Sequence, residues 1–209
     1  MREIVILGST GSIGVQALEI VAAYPDKFRV IGLSAGRKNP ALLMQQAKKF
    51  NVPIVGSMAA APKTDGVKVI DGDNSSIEIA ALPCDIVLNG ITGSIGLGPT
   101  LSALAVGNKV ALANKESLVA GGELVMKYGS DKLIPVDSEH SAIYQALLAG
   151  KVSDVKKLVL TASGGPFRDR ADLSDVSVAD ALNHPTWSMG EVVTINSATL
   201  LNKGLEIIE

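Results

Sequence analysis

Two carboxylates, Asp137 and Glu139, stand one residue apart in IPVDSEHSAIYQAL, after an apolar run and before a run of helical spacing. In extended backbone, residues i and i+2 project to the same side, so this spacing lets both carboxylates converge on one cation. Oxygen ligands with no thiolate nearby suit a hard ion, Mg2+ or Mn2+, bound with positions left open for a substrate. The competing reading is a helix cap, with Asp137 or Ser138 accepting backbone amides. A second cluster, Asn114, Lys115 and Glu116 in ALANKESLV, ends an apolar strand and opens a helix. That is the edge where α/β sheets bind ligands; capping, with Glu116 in the first turn, is its alternative.

A third chemical signal is EIVILGSTGSIGV, which sets Gly8, Gly11 and Gly14 between an expected first strand and first helix. Glycines in such a turn allow close backbone approach, and a pyrophosphate then rests on the unpaired amides of the helix N-terminus. The next expected strand, RVIGLSA, ends in GRKN, with Arg37 and Lys38 where an acidic ribose ligand would otherwise stand. Positive charge there suits a 2′-phosphate and so NADP over NAD, unless both side chains are merely solvated. The string TGSIG recurs in LNGITGSIGLGPTLSAL, between Gly90 and Gly96. No basic-tipped strand follows it, so it is read as a second contact along the same cofactor, with Gly93, Ser94 and Ile95 near the nicotinamide.

Alternating strands and helices must position these groups. EIVIL, RVIGLSA, VPIVG, VKVI, DIVLN, KVALA, KLIPV and KKLVLTA read as strands, most followed by runs of helical spacing. Repetition of that unit means parallel strands with crossover helices, and continuously apolar strands mean a sheet covered on both faces. The texture changes near Val136, where polar clusters begin. Segment 163–190 holds Gly164, Gly165 and two prolines, with helical spacing only at Val178–Leu182, and reads as a long mobile loop. With 47% apolar and 19% charged residues the chain is expected to fold as a soluble globular protein. A net charge of −2 without basic runs favours neither nucleic acid nor an anionic membrane surface, and no apolar run is long enough to span a bilayer. The single cysteine, Cys84, excludes a disulfide framework and is expected to be an inert buried thiol; no signal or transit peptide is recognisable, so a cytoplasmic location is expected.

Taken in order, GSTGSIG, LANKESLV, PVDSEHSAI, TASGGPFR, HPTWSMG and NSATLLNKGLEIIE resemble the 1-deoxy-D-xylulose 5-phosphate reductoisomerases. The resemblance runs from the first strand to the last residue. It implies an α/β fold: a Rossmann-like doubly wound parallel sheet binding NADPH (1–136), then an incomplete α/β catalytic domain (137–209) with a lid at about 163–190. The family chain continues into a C-terminal helical domain that has no counterpart here. Thr10, Gly11, Ser12 and Ile13 would hold the cofactor pyrophosphate and ribose; Gly36, Arg37, Lys38 and Asn39 would flank the 2′-phosphate; Asn114, Glu116 and Gly190 would complete the site. Asp137, Glu139 and Glu206 would hold the divalent ion. Lys115, Ser138 and Glu139 would meet the reacting part of the substrate, while Ser163, His184, Ser197, Asn202 and Lys203 would surround it, mostly at its phosphate.

Residue chemistry agrees with that mapping. A dianionic phosphate wants a lysine plus neutral donors, and the spacing in SATLLNK brings Ser197, Asn202 and Lys203 within two helical turns. Asn202 and Glu206 are i and i+4 on one helix face; an ordinary amphipathic core helix is the alternative. The implied reaction is metal-assisted rearrangement of a phosphorylated sugar, then hydride transfer from NADPH, with Lys115 stabilising oxyanion charge, Glu139 and His184 as further catalytic groups, and the phosphate as anchor. Gly164 and Gly165 would hinge the lid, with Trp187 and Met189 as its apolar cover, unless Trp187 is a core aromatic. His184 is read as phosphate donor or general acid, and His140 as capping or orienting beside the metal site. A homodimer is expected. The rival readings are another NADP-dependent dehydrogenase, acting on aspartate semialdehyde or homoserine, and an inactive NADPH-binding or dimerisation module.

Overall fold

A computed structural model describes residues 1–209, which pack as two compact units, Met1–Ser138 and Glu139–Glu209. The first unit is built on strands β1 (Arg2–Leu7), β2 (Phe28–Ala35), β3 (Ile54–Ser57), β4 (Lys68–Asp71), β5 (Ile86–Asn89), β6 (Lys109–Leu112) and β7 (Leu133–Pro135). All pair in parallel, in the order β4-β3-β2-β1-β5-β6-β7. Helices α1 (Ser12–Ala23), α2 (Pro40–Lys49), α3 (Ser75–Ala80), α4 (Leu97–Ala105) and α5 (Glu116–Met126) make the crossovers. Apart from α3, whose six residues are too few for a helical period to show, each of these elements was expected from its apolar pattern.

Side chains of a strand alternate between faces, and β1 divides accordingly. Ile6 packs with Leu18, Val21, Leu33 and Leu43 under α1 and α2, while Val5 and Leu7 pack with Ile79, Ala103, Val110 and Val125 under α3, α4 and α5. Each fully buried aliphatic side chain contributes about 1.5–3 kcal/mol, so the central strands anchor both layers.

Strand order reverses at β1, with β2 on one side and β5 on the other. At that switch point the loops after β1 and β5 touch. Gly8 has φ +74°, and a Cβ on it would lie 2.8 Å from the Gly90 carbonyl oxygen; the Gly90 amide donates to Leu7 O at 3.0 Å. The loops that carry the two TGSIG strings therefore start side by side at one sheet edge because β1 and β5 are neighbours in register, Leu7 opposite Asn89.

The second unit contains α6 (Ser138–Leu147), which starts at the junction, then α7 (Val178–Leu182), α8 (Glu191–Ala198) and α9 (Leu201–Ile208). KKLVLTA, expected as a strand, is unpaired, and Leu158 and Val159 are exposed. A strand exists through ladder bonds to a neighbour, and this unit holds no other strand to supply them. The single helix expected through SATLLNK is broken: Leu200 takes the left-handed conformation, φ 60°, and separates α8 from α9. Such a residue costs about 1–2 kcal/mol, so surrounding contacts enforce the break. Segment 163–190 is irregular outside α7, which Ser177 and Asp180 start with a capping box. No helix is long and apolar enough to cross a membrane.

The turn after β1 tolerates no side chain at Gly14, where a Cβ would fall 2.4 Å from Ser9 Cα and 2.5 Å from Gly8 O. Gly14→Ala is expected to cost about 3 kcal/mol in urea unfolding, since backbone must move. Gly122→Ala meets nothing within 4 Å and should instead gain about 0.5–1 kcal/mol.

Candidate functional site

In the first unit, the opening amides of α1 lack partners within the helix, as at any helix start, and its N-cap Gly11 offers no side chain to satisfy them. Those amides, from the stretch containing Thr10, Gly11, Ser12 and Ile13, face the switch-point crevice where anions bind. Ser9, fully buried, donates from Oγ to Gln46 Oε1 at 2.8 Å and accepts at its carbonyl from Gln46 Nε2 at 2.9 Å, tying the turn to α2. At the tip of β2, Gly36 has open space around it and Lys38 is exposed. Arg37 donates to Met58 O at 3.1 Å and pairs with Asp73, while Asn39 Oδ1 caps α2 by accepting from Leu42 N at 3.3 Å. Arg37 is thus oriented by Asp73, and the Asn39 side chain serves the helix start.

The second glycine loop stands on a buried polar network. Asn89 Nδ2 donates to Gly96 O at 2.9 Å and to Thr100 Oγ1 at 2.8 Å, and its Oδ1 accepts from Ile91 N at 3.1 Å. Asn114 Nδ2 donates to Ile91 O and to Gly93 O, the latter at 2.8 Å, while its Oδ1 accepts from Ser117 N at 2.9 Å. Asn114 is 1% exposed. Expected beside the cofactor, it shapes that edge by holding residues 91–93 and capping α5. Glu116 meets Asn114 Nδ2 at 3.3 Å. Sequence reasoning missed Asn89, Thr100 and Ser117; the available signal was an Asn-Gly step closing an otherwise apolar strand.

The carboxylates and lysines follow a common pattern. In the first unit, Lys115 Nζ lies 2.6 Å from Asp137 Oδ2, with both side chains close to nine-tenths buried. Asp137 Oδ1 is buried without a hydrogen-bond partner. In the second unit, Lys203 Nζ donates to Glu139 Oε1 at 2.9 Å and to Glu206 Oε2 in a shorter contact. Asn202 Nδ2 donates to Glu206 Oε1 at 2.5 Å across one helical turn, as the i, i+4 spacing requires. His140 Nε2 donates to Glu206 O at 2.8 Å, which places its proton on that nitrogen. Partial burial pulls the Lys203 ammonium down, but the Glu206 and Glu139 hydrogen bonds and charges outweigh it and hold the group above the ordinary lysine value. One expectation fails in its reasoning: Glu139 stands in the first turn of α6, not in extended backbone, so alternation along a strand does not align it with Asp137. The chain leaves β7 at Pro135 and is helical from Ser138.

Within the second unit, Ser163, Gly164, Ser197, Asn202, Lys203 and Glu139 line one small cavity. Ser197 reaches it from α8 and the others of that helical pair from α9, so the break at Leu200 keeps the expected donors together. His184 Nδ1 accepts from the Thr186 and Trp187 amides at 3.1 and 3.0 Å, so the neutral ring carries its proton on Nε2 and donates to Ser163 Oγ at 3.2 Å. A Cβ on Gly165 would lie 2.5 Å from Ser197 O, which makes this glycine a close-packing position. Trp187 is 60% exposed, so it is not a core aromatic. Gly190 N-caps α8 without a side-chain bond.

Two family models match the chain. The 1-deoxy-D-xylulose 5-phosphate reductoisomerase model matches residues 4–122, and the model of that enzyme's C-terminal domain matches 133–209. The chain belongs to the 1-deoxy-D-xylulose 5-phosphate reductoisomerase family. It is 54% identical to the reductoisomerase of Beutenbergia cavernae over all of this chain and 56% of that protein, and 52% identical to that of Streptomyces coelicolor over all of this chain and 54% of that protein. It therefore spans a little over half the length of these relatives. A crystal structure of the reductoisomerase with NADPH, fosmidomycin and magnesium superposes with TM-score 0.87 at 36% identity, covering all of this chain and 57% of that one. The Zymomonas mobilis reductoisomerase with NADPH gives 0.85 at 36% identity, over 99% of this chain and 56% of that one.

A semialdehyde dehydrogenase would need a nucleophilic cysteine. Burial pushes the Cys84 thiol up to about 11, against the lowering effect of its bonds to the Ile86 and Val5 backbone. Cys84, expected to be buried, is only half-buried; with its raised thiol value, Ellman's reagent should react markedly more slowly in the folded chain at pH 8 than after unfolding, and equal rates would contradict that value.

Lys203 makes a second prediction. Its raised value means that its stabilising effect is complete below 10.5 and is lost as pH climbs through the folded value. Lys203→Met removes the ammonium shared by Glu139 and Glu206 and should cost about 3 kcal/mol in metal-free urea titrations near neutral pH. The variant's stability should then lack the alkaline fall of the native chain.

Proposed function

We propose that residues 1–136 bind NADPH and residues 137–209 carry the metal and substrate residues for converting 1-deoxy-D-xylulose 5-phosphate to 2-C-methyl-D-erythritol 4-phosphate, a step towards isoprenoid precursors. The supporting observation is the set of carboxylates, Glu206 buried and Asp137 and Glu139 partly so, matched to lysines. Asp137, Glu139 and Glu206 fit a divalent ion: the donors are all carboxylate oxygens, and Asp137 keeps a buried oxygen with no partner. Asp137 and Glu139 lie two residues apart in the chain, which keeps them within about 7 Å at Cα whatever the backbone does between them.

Mg2+ or Mn2+ held there supplies a Lewis acid for the substrate's carbonyl and hydroxyl oxygens, and NADPH supplies hydride. The chain's own residues do the rest. Thr10, Gly11, Ser12 and Ile13 take the pyrophosphate; Gly36, Arg37, Lys38 and Asn39 meet the 2′-phosphate; Asn114, Glu116 and Gly190 complete the cofactor site. Lys115 offers its ammonium to developing oxyanion charge, with Ser138 and Glu139 beside the reacting oxygens. Ser163, Ser197, Asn202, Lys203 and the Nε2–H of His184 donate to the phosphate, which spends binding energy on orientation. Segment 163–190 closes as a lid, with Trp187 and Met189 covering the reacting carbons. A homodimer in the cytoplasm belongs to the same reading, and light scattering checks the oligomer.

NADPH oxidation by the chain, followed with 1-deoxy-D-xylulose 5-phosphate and either metal, should require all three components. Glu206→Gln is expected to abolish turnover while sparing NADPH affinity. Tight NADPH binding without turnover would mark an inactive cofactor-binding module, and turnover unchanged in Glu206→Gln would contradict the metal assignment.

A further inference from the structure

Lys203 holds two assignments, one beside the carboxylates and one at the phosphate. Nζ lies between Glu139 Oε1, at 2.9 Å, and Glu206 Oε2, the carboxylates read above as metal ligands. The same side chain lines the cavity with Ser163, Ser197 and Asn202, the donors read above as the phosphate site. While the ammonium stays with Glu139 and Glu206, two of its three donors are committed to carboxylate oxygens instead of to an anion in the cavity. A divalent cation would compete with it for those same oxygens.

We propose that divalent-ion binding displaces Lys203 from Glu139 and Glu206 and turns its ammonium into the cavity, so that filling the cation site creates the phosphate site. This rests on the reading of Glu139 and Glu206 as metal ligands and adds a coupling that the reading alone does not contain. The geometry suits a switch. Glu206, whose side chain is fully buried, keeps its bond from Asn202 at 2.5 Å when the lysine departs, so it remains fixed for the cation. Lys203 carries a compact ammonium on a flexible four-carbon stem and can swing within its own helix turn, whereas a planar guanidinium could not move as freely between the two positions. Linkage makes the effect reciprocal: phosphate that captures the ammonium also tightens the cation. Phosphorylated ligand arriving before the cation finds the ammonium engaged with Glu139 and Glu206, so binding follows the order cation, then phosphate.

The test uses the whole chain with inorganic phosphate as probe. Saturating Mg2+ is expected to tighten phosphate binding on the order of tenfold, and Lys203→Met should bind phosphate weakly and indifferently to Mg2+. Wild-type affinity that Mg2+ does not move, while Mn2+ still binds by electron paramagnetic resonance, overturns the switch and leaves the metal reading standing. Coupling retained in Lys203→Met overturns it by showing that the cation itself holds the phosphate; absence of Mn2+ binding overturns both. Because Lys203→Met also breaks a buried ion pair, a second measurement avoids relying on that variant. With lysines labelled at the side-chain nitrogen and the Lys203 signal assigned through Lys203→Arg, Mg2+ alone should shift that ammonium resonance; an unmoved signal overturns the proposal.

Discussion

A carboxylate with no exposed surface requires a cation, and Glu206 is such a carboxylate. Lys203 supplies the charge and Asn202 the second hydrogen bond, both from the helix that carries Glu206 itself. Glu139 joins from the first turn of α6, so one ammonium ties α6 to α9. Replacing such a pair with apolar residues is often neutral or favourable, so stability alone does not account for keeping it. Under the proposed metal reading, the site keeps it because one positive charge is there exchanged for another. The Lys115–Asp137 pair of the first unit repeats the arrangement, with one carboxylate oxygen occupied and the other without a partner.

The first unit depends on a different constraint, the close approach of two loops at the switch point. Gly8 and Gly14 have no room for a Cβ because backbone occupies that space, and Gly90 supplies part of it. Parallel pairing of β1 with β5 starts the loops that carry the two TGSIG strings side by side, and Asn89 and Asn114 then brace the second one from below. The polar groups in this network are largely paired with one another, which leaves the loop backbone shaped in advance for a ligand.

The sheet was legible in the sequence because each strand is an apolar run and each crossover helix carries its own period, and both the glycine loop and the order of motifs carry family information. Four features were not legible, each for a physical reason. KKLVLTA has the composition of a strand, but composition does not provide the neighbour that a ladder needs. The break at Leu200 lies in a sequence of ordinary helix formers, and only contacts from outside the helix impose a left-handed leucine. Asp137 and Glu139 were placed near one another by an argument from extended backbone that fails, although their separation of two residues secures their proximity by chain length alone. The Lys203 pairing was hidden for a related reason: its assignment to phosphate followed from charge, whereas its contact with Glu139 depends on how α6 and α9 pack.

The central claim is that Asp137, Glu139 and Glu206 hold a divalent ion in place of the lysine charge now on Glu139 and Glu206. Anomalous diffraction from crystals of the chain grown with Mn2+ and NADPH tests it most directly. The account predicts a manganese peak bound directly to all three carboxylates, with Lys203 Nζ withdrawn from Glu139 and Glu206. Manganese elsewhere, or Lys203 still seated between both carboxylates with the metal saturating, would contradict it.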